Sequence, residues 1–181
     1  MIPTRIIHHK VEFDLQHLQQ RYQNLQWKCQ DKRTINFKVR IRFSDHCISE
    51  EIFDTPQKGA MYFTQYGKTR IFNPDRYQWS LQLPTIIDSL FAKPTESLRL
   101  TTERNWFIVQ LSMQHPLRNG ERYYCFLRFR NLAKISDNPL KHYIHLQVES
   151  AYPRSTYPLT PRGNERIMFG RLLERLTSRK I

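Results

Sequence analysis

Two side chains in the last third of the chain, His145 and Glu149, are of the types that move protons on and off a phosphodiester. From Lys141 to Ser150, Lys141, Tyr143, His145, Gln147 and Glu149 alternate with Ile144, Leu146 and Val148, the two-residue period of a strand with one polar and one apolar face. RNA is cleaved without metal when a base takes the 2′-OH proton, an acid protonates the departing oxygen and cations stabilise the phosphorane. Four residues of strand set His145 and Glu149 about 13 Å apart, so only one of them reaches a given scissile phosphate. A partner has to come from a neighbouring strand, where Arg128 and Arg130 are the cations, or from the following segment, which carries Tyr152 and Arg154. His145, Glu149, Tyr152 and Arg128 are therefore the candidate catalytic set. The plain alternative is a solvated polar strand face of mixed charge.

A binding surface is written more clearly. Between Thr34 and Phe43, Ile35, Phe37, Val39, Ile41 and Phe43 alternate with Asn36, Lys38, Arg40 and Arg42, which predicts a strand with three cations on its outer face. Arg122 to Arg130 repeats the pattern, with Tyr123, Cys125, Leu127 and Phe129 on one side and Arg122, Tyr124, Phe126, Arg128 and Arg130 on the other. Arginines interleaved with aromatics suit phosphates and unstacked bases. Lys38, Arg40, Arg42, Arg122, Tyr124, Arg130 and Arg154 form the candidate nucleic-acid platform, with Phe126 as a further stacking ring. Alternatively, the closing helix covers Tyr124 and Phe126 and makes that surface a second core.

Composition agrees with a polyanion partner. Lys and Arg number 29 against 16 Asp and Glu, a formal net charge of +13. Such a field attracts phosphate polymers through counterion release, although surplus charge also serves solubility. None of the five glycines opens a Walker or dinucleotide loop, so nucleotide-driven chemistry is not expected. Pro74-Asp75 lacks the downstream acidic-x-Lys strand of a restriction-type metal site. His46, Cys47, Cys29, His8 and His9 match no zinc-ligand spacing. No metal or other cofactor is predicted. Three scattered cysteines point to a reducing compartment, and no apolar run serves as a Sec signal or a membrane span, so a cytoplasmic location is expected.

These segments need a scaffold. The pattern predicts one α+β domain over residues 1–181: a curved, mainly antiparallel sheet, a meander in its second half, with N-terminal and C-terminal helices packed on it. The helices are expected near 15–25, after Asp14 (Leu15, Leu18, Tyr22, Leu25), at Thr85 to Phe91, and at the chain end (Phe169, Leu172, Leu173, Leu176) with Arg162, Arg166, Arg171, Arg175, Arg179 and Lys180 about it. Strands are expected at Ala60 to Phe72 as a hairpin turning at Tyr66-Gly67, then at Leu98 to Thr101, Trp106 to Ser112, Arg122 to Arg130 and His142 to Ser150. Turns fall at Asn119-Gly120 and at Ser136-Asp137-Asn138-Pro139.

Arg104-Asn105-Trp106-Phe107, the Tyr124 to Phe129 strand, Val148-Glu149-Ser150-Ala151-Tyr152-Pro153-Arg154, the Ile167 to Leu173 helix and Phe43-Ser44-Asp45-His46-Cys47 resemble a family of small bacterial plasmid and mobile-element proteins. At the level of fold, an N-terminal helix followed by a meander ending in Ser-Ala-Tyr is similar to the barnase and colicin-type metal-independent ribonuclease toxins. The basic strands lead to an RNA-engaging protein, and the likeness to these toxins adds a metal-independent endoribonuclease toxin as one reading. A non-enzymatic nucleic-acid-binding or regulatory module is another. In a third, the cations meet an acidic protein inhibitor or complex subunit.

Overall fold

The computed structural model describes residues 2–52, 57–65, 68–103, 105–110, 113–132, 142–158 and 165–178. The turns expected at Tyr66-Gly67 and Ser136 to Pro139, and Lys141, Arg162, Arg179 and Lys180, lie outside them.

The chain opens with a hairpin, β1 (Arg5–His8) and β2 (Val11–Asp14), whose tight turn places His9 and Lys10 at positive φ. A 3-10 turn (Gln16–Leu18) leads into β3 (Arg21–Lys28), which pairs antiparallel with β4 (Thr34–Phe43). The helix expected over 15–25 is thus corrected to a single turn and a strand. Leu15 and Leu18 are buried in the turn, but Leu25 and Trp27, two apart, face the core in β3 while Tyr22 faces out. Eight residue pairs with β4 outweigh a marginal helical spacing.

After β4 come a second 3-10 turn (Asp45–Cys47) and a small sheet of β5 (Ser49–Glu51), β6 (Tyr62–Gln65) and β7 (Lys68–Phe72), with β7 in the middle. Asn73 then starts a helix: its Oδ1 accepts the Arg76 amide at 2.9 Å and Pro74 takes the first helical position of α1 (Pro74–Ser80). Next is α2 (Leu83–Ala92), close to its expected place.

The second half is the expected meander. β8 (Ser97–Leu100), β9 (Trp106–Gln110), β10 (Arg122–Asn131) and β11 (His142–Arg154) pair in sequence, all antiparallel. Gly120, at φ 79°, supplies the left-handed conformation in the β9–β10 connection. β12 (Arg166–Met168) returns to pair with β8, and α3 (Phe169–Ser178) closes the chain. β11 also pairs with β4, parallel, so the main sheet is an open seven-stranded one in the order β12-β8-β9-β10-β11-β4-β3.

One face of that sheet carries the core. Phe37, Val39 and Ile41 of β4, Ile144, Leu146 and Val148 of β11, and Tyr123, Cys125 and Leu127 of β10 join the apolar side chains of α2 and α3 in one buried cluster. Phe169 of α3 meets Phe91 and Phe129 at ring distances of 5.2 and 6.0 Å. Gly170 lies so close to the Trp27 ring that an added Cβ would come within 2.2 Å of it, so a side chain there would displace helix or strand. Trp27 Nε1 donates to Glu174 at 3.1 Å, and Arg171 pairs with the same carboxylate at 2.6 Å. Burial raises the pKa of Glu174, but these two donors outweigh it and leave the group below its ordinary value.

Candidate nucleic-acid interface

The opposite face of the sheet divides at a β-bulge. Phe126 is opposite Ser150 and Leu127 opposite Val148, which leaves Glu149 as an extra residue on β11. Glu149 turns onto the polar face, where its Oε1 lies 3.2 Å from Arg128 Nε; the same Nε donates to Asn105 Oδ1 at 3.2 Å.

On one side of this pair the face is cationic. Cross-strand neighbours form a row, Arg130 (β10), His145 (β11), Arg40 (β4) and Tyr22 (β3). The adjacent row is Arg128, Gln147 and Arg42. Farther along β4 sits Lys38, whose Nζ is 5.2 Å from the centre of the Tyr22 ring. Arg130 is exposed, Arg40 and Arg42 are half-buried, and Tyr22 is 55% exposed. His145 is buried. Burial first, then Arg40, Arg42 and Arg130, lower its pKa to about 4, so the ring is neutral at pH 7. Among the described residues, none of those three arginines has a carboxylate within ion-pair distance.

On the other side the face is aromatic and closed. Phe107, Tyr124 and Phe126 are buried together, with Val109 and Tyr152 packed against them. Tyr157 meets Phe107 and Tyr124 edge-on. The stacking role expected of Tyr124 and Phe126 is therefore corrected: they form a second core. Its cover is Tyr152 and Tyr157, whereas the closing helix packs on the sheet's other face.

The remaining candidates fall around this second core. β11 runs on to Arg154, so Tyr152 lies in the strand rather than after it. Beyond Val148 the strand no longer has β4 beside it, which lets Pro153 sit without an amide proton. The Tyr152 ring stacks on Phe126 at 5.5 Å, and the Arg76 guanidinium lies 4.9 Å from its centre. Arg122 and Arg154 are opposite each other at the far end, and Arg154 donates to Thr156 Oγ1. Thus Arg128, Glu149, His145, Arg130, Arg40, Arg42 and Lys38 share one region, while Tyr152, Tyr124, Arg122 and Arg154 share another.

Two contributors escaped the sequence reading. Tyr22 falls within the helix predicted near 15–25, although Tyr22, Asn24 and Gln26 alternate with Leu25 and Trp27 as a strand does. Arg76 stands in an unrecognised helix that Asn73-Pro74 announces. All three cysteines are buried and free, and burial pushes the Cys47 thiol up to about 12. No helix among the described residues is long and apolar enough to cross a membrane.

A small basic α+β protein results, its sheet roofed by helices on one face and half cationic on the other. The chain belongs to the YjaZ family, which matches residues 5–177. No curated protein and no solved structure matches it.

Proposed function

We propose that the cationic half of the open face binds the backbone of single-stranded nucleic acid, RNA in the first place, as a non-enzymatic module. The observation that carries this reading is the convergence of Arg40 and Arg42 from β4 and Arg130 from β10 on the two sides of one neutral imidazole, without carboxylate partners among the described residues. Exposed Tyr22 ends the same row and offers a base a flat ring beside the phosphate-binding cations. Fluorescence anisotropy with a labelled single-stranded RNA tests it. If three phosphates are neutralised, a tenfold rise in salt lowers affinity roughly 100-fold. Affinity independent of salt would reject the reading, and co-purification with one acidic protein in place of RNA would favour a protein partner.

Metal-independent RNA cleavage is the second reading, and the neutral, cation-flanked imidazole of His145 is the observation in its favour. Against it, Tyr152 is stacked into the aromatic core and Arg76, and Glu149 is held by Arg128. The N-terminal helix on which the likeness to ribonuclease toxins leaned is a strand. Incubation with RNA in EDTA separates the two readings: the binding module leaves the RNA intact. Cutting that disappears in His145→Ala would establish the enzyme.

A further inference from the structure

The cationic half holds two buried polar atoms with nothing to bond. His145 Nε2 and Arg40 Nε are shut off from solvent and have no hydrogen-bond partner among the described residues. They belong to directly opposed residues of β11 and β4. A buried donor or acceptor left unmet is destabilising, so two at adjacent positions favour a ligand that satisfies both. Arg130, opposite His145 on β10, supplies the third side.

Building on the nucleic-acid reading above, we propose that Arg40, His145 and Arg130 form a seat for one phosphate monoester, the terminal phosphate of a nucleic-acid strand. Two features select an end over an internal phosphodiester. The first is depth: His145 is 8% exposed and lies between two long arginine side chains, so its Nε2 is reached by a group that projects from the end of a strand. An internal phosphate has ribose on both sides and rests on the rim. The second is charge and valence. A monoester carries close to two negative charges at pH 7 and three free oxygens, one each for the Arg40 Nε–H, for His145 Nε2 in the neutral tautomer that carries its proton there, and for the Arg130 guanidinium. An internal diester carries one charge and two free oxygens. Glu149, the acidic residue on the same strand, does not compete, because Arg128 holds it.

The test uses the full chain and three RNA strands of one sequence, bearing a 5′-phosphate, a 3′-phosphate or hydroxyls at both ends, with anisotropy as the readout. One phosphorylated end is expected to raise affinity about 10-fold or more over the hydroxyl-ended strand. In Arg40→Gln and His145→Gln the phosphorylated and hydroxyl-ended strands should bind alike. A second measurement needs no variant: inorganic phosphate titrated into ¹⁵N-labelled protein should shift the His145 imidazole resonances. If phosphate shifts them but a phosphorylated end adds no affinity, the seat serves a free phosphate and the strand-end proposal is overturned. Equal binding of all three strands with an unmoved His145 signal removes the seat and leaves the binding face standing. Binding of none of the strands removes the face itself.

Discussion

The two halves of the open face are built on the same two central strands, yet they meet water in opposite ways. Toward the C-terminal end of β11, Tyr124, Phe126, Phe107 and Tyr152 bury one another under Tyr157. Toward its N-terminal end, Arg130, His145 and Arg40 face each other across three strands. Alternation alone does not distinguish these outcomes, because Arg122, Tyr124, Phe126, Arg128 and Arg130 are one run on one side of β10. What separates them is the neighbour. β9 and the segment after β11 bring aromatic rings to the first half of β10, whereas β4 brings arginines alongside β11 and, through it, the second half. Rings cluster and exclude water; like charges cannot, and stay open.

The sharpest way to break this division is Tyr124→Ala. If the aromatic half is structural, removing a ring that is 1% exposed costs about 3–5 kcal/mol of stability in a denaturant melt, while the folded fraction binds RNA as before. Loss of binding without loss of stability would place the interface in the wrong half.

His145 gives the next largest effect, read as stability against pH. Its folded pKa, about 4, lies below the ordinary 6.5. The unfolded chain therefore takes up the proton first, so the stabilisation is complete above about pH 6.5 and is lost as the pH falls from there toward 4. The loss should reach up to about 3 kcal/mol in the wild type. The His145→Asn variant should lack that component, and parallel pH curves for the two proteins would contradict a buried neutral imidazole. His8, His17 and His46, also lowered chiefly by burial, contribute equally to both curves.

Tyr22→Ala probes the edge of the cationic half. At a ring 55% exposed on an edge strand, stability should change by no more than about 0.5 kcal/mol. RNA affinity should fall by about 1–3 kcal/mol, and unchanged affinity in anisotropy would remove Tyr22 from the interface. The smallest effect is expected at the boundary: Glu149→Gln dissolves a half-exposed ion pair, with a cost in thermal unfolding of about 0.5–1 kcal/mol. It should leave RNA affinity equal or slightly higher as Arg128 is released.

Much of this arrangement was legible in the sequence where the pattern had one cause. β4 alternates strictly because one face is core and the other is not, and its cations stand where the spacing puts them. Asn119-Gly120 announced the β9–β10 pairing, and the apolar stripe of α3 announced its buried face. The failures have different origins. Residues 21–28 form an edge strand whose few apolar positions also suit a helix, and only pairing with β4 decides between them. The parallel union of β4 with β11 leaves no local mark, since neither strand's composition encodes its partner. The bulge that turns Glu149 toward Arg128 is likewise a property of two strands meeting. Thus the residue types of the site could be read, but not which of them would stand together.

That union of β4 with β11 joins positions roughly a hundred residues apart along the chain, in the one parallel pairing of the main sheet among the described residues. The β3–β4 hairpin and the β8–β11 meander each form from near neighbours, but closing so long a loop is entropically costly and slow. Arg40 and Arg42 come from the first unit, His145 and Arg130 from the second. The proposed anion seat is therefore complete only when the two units have docked, so ligand affinity would report that long-range pairing rather than the presence of either half.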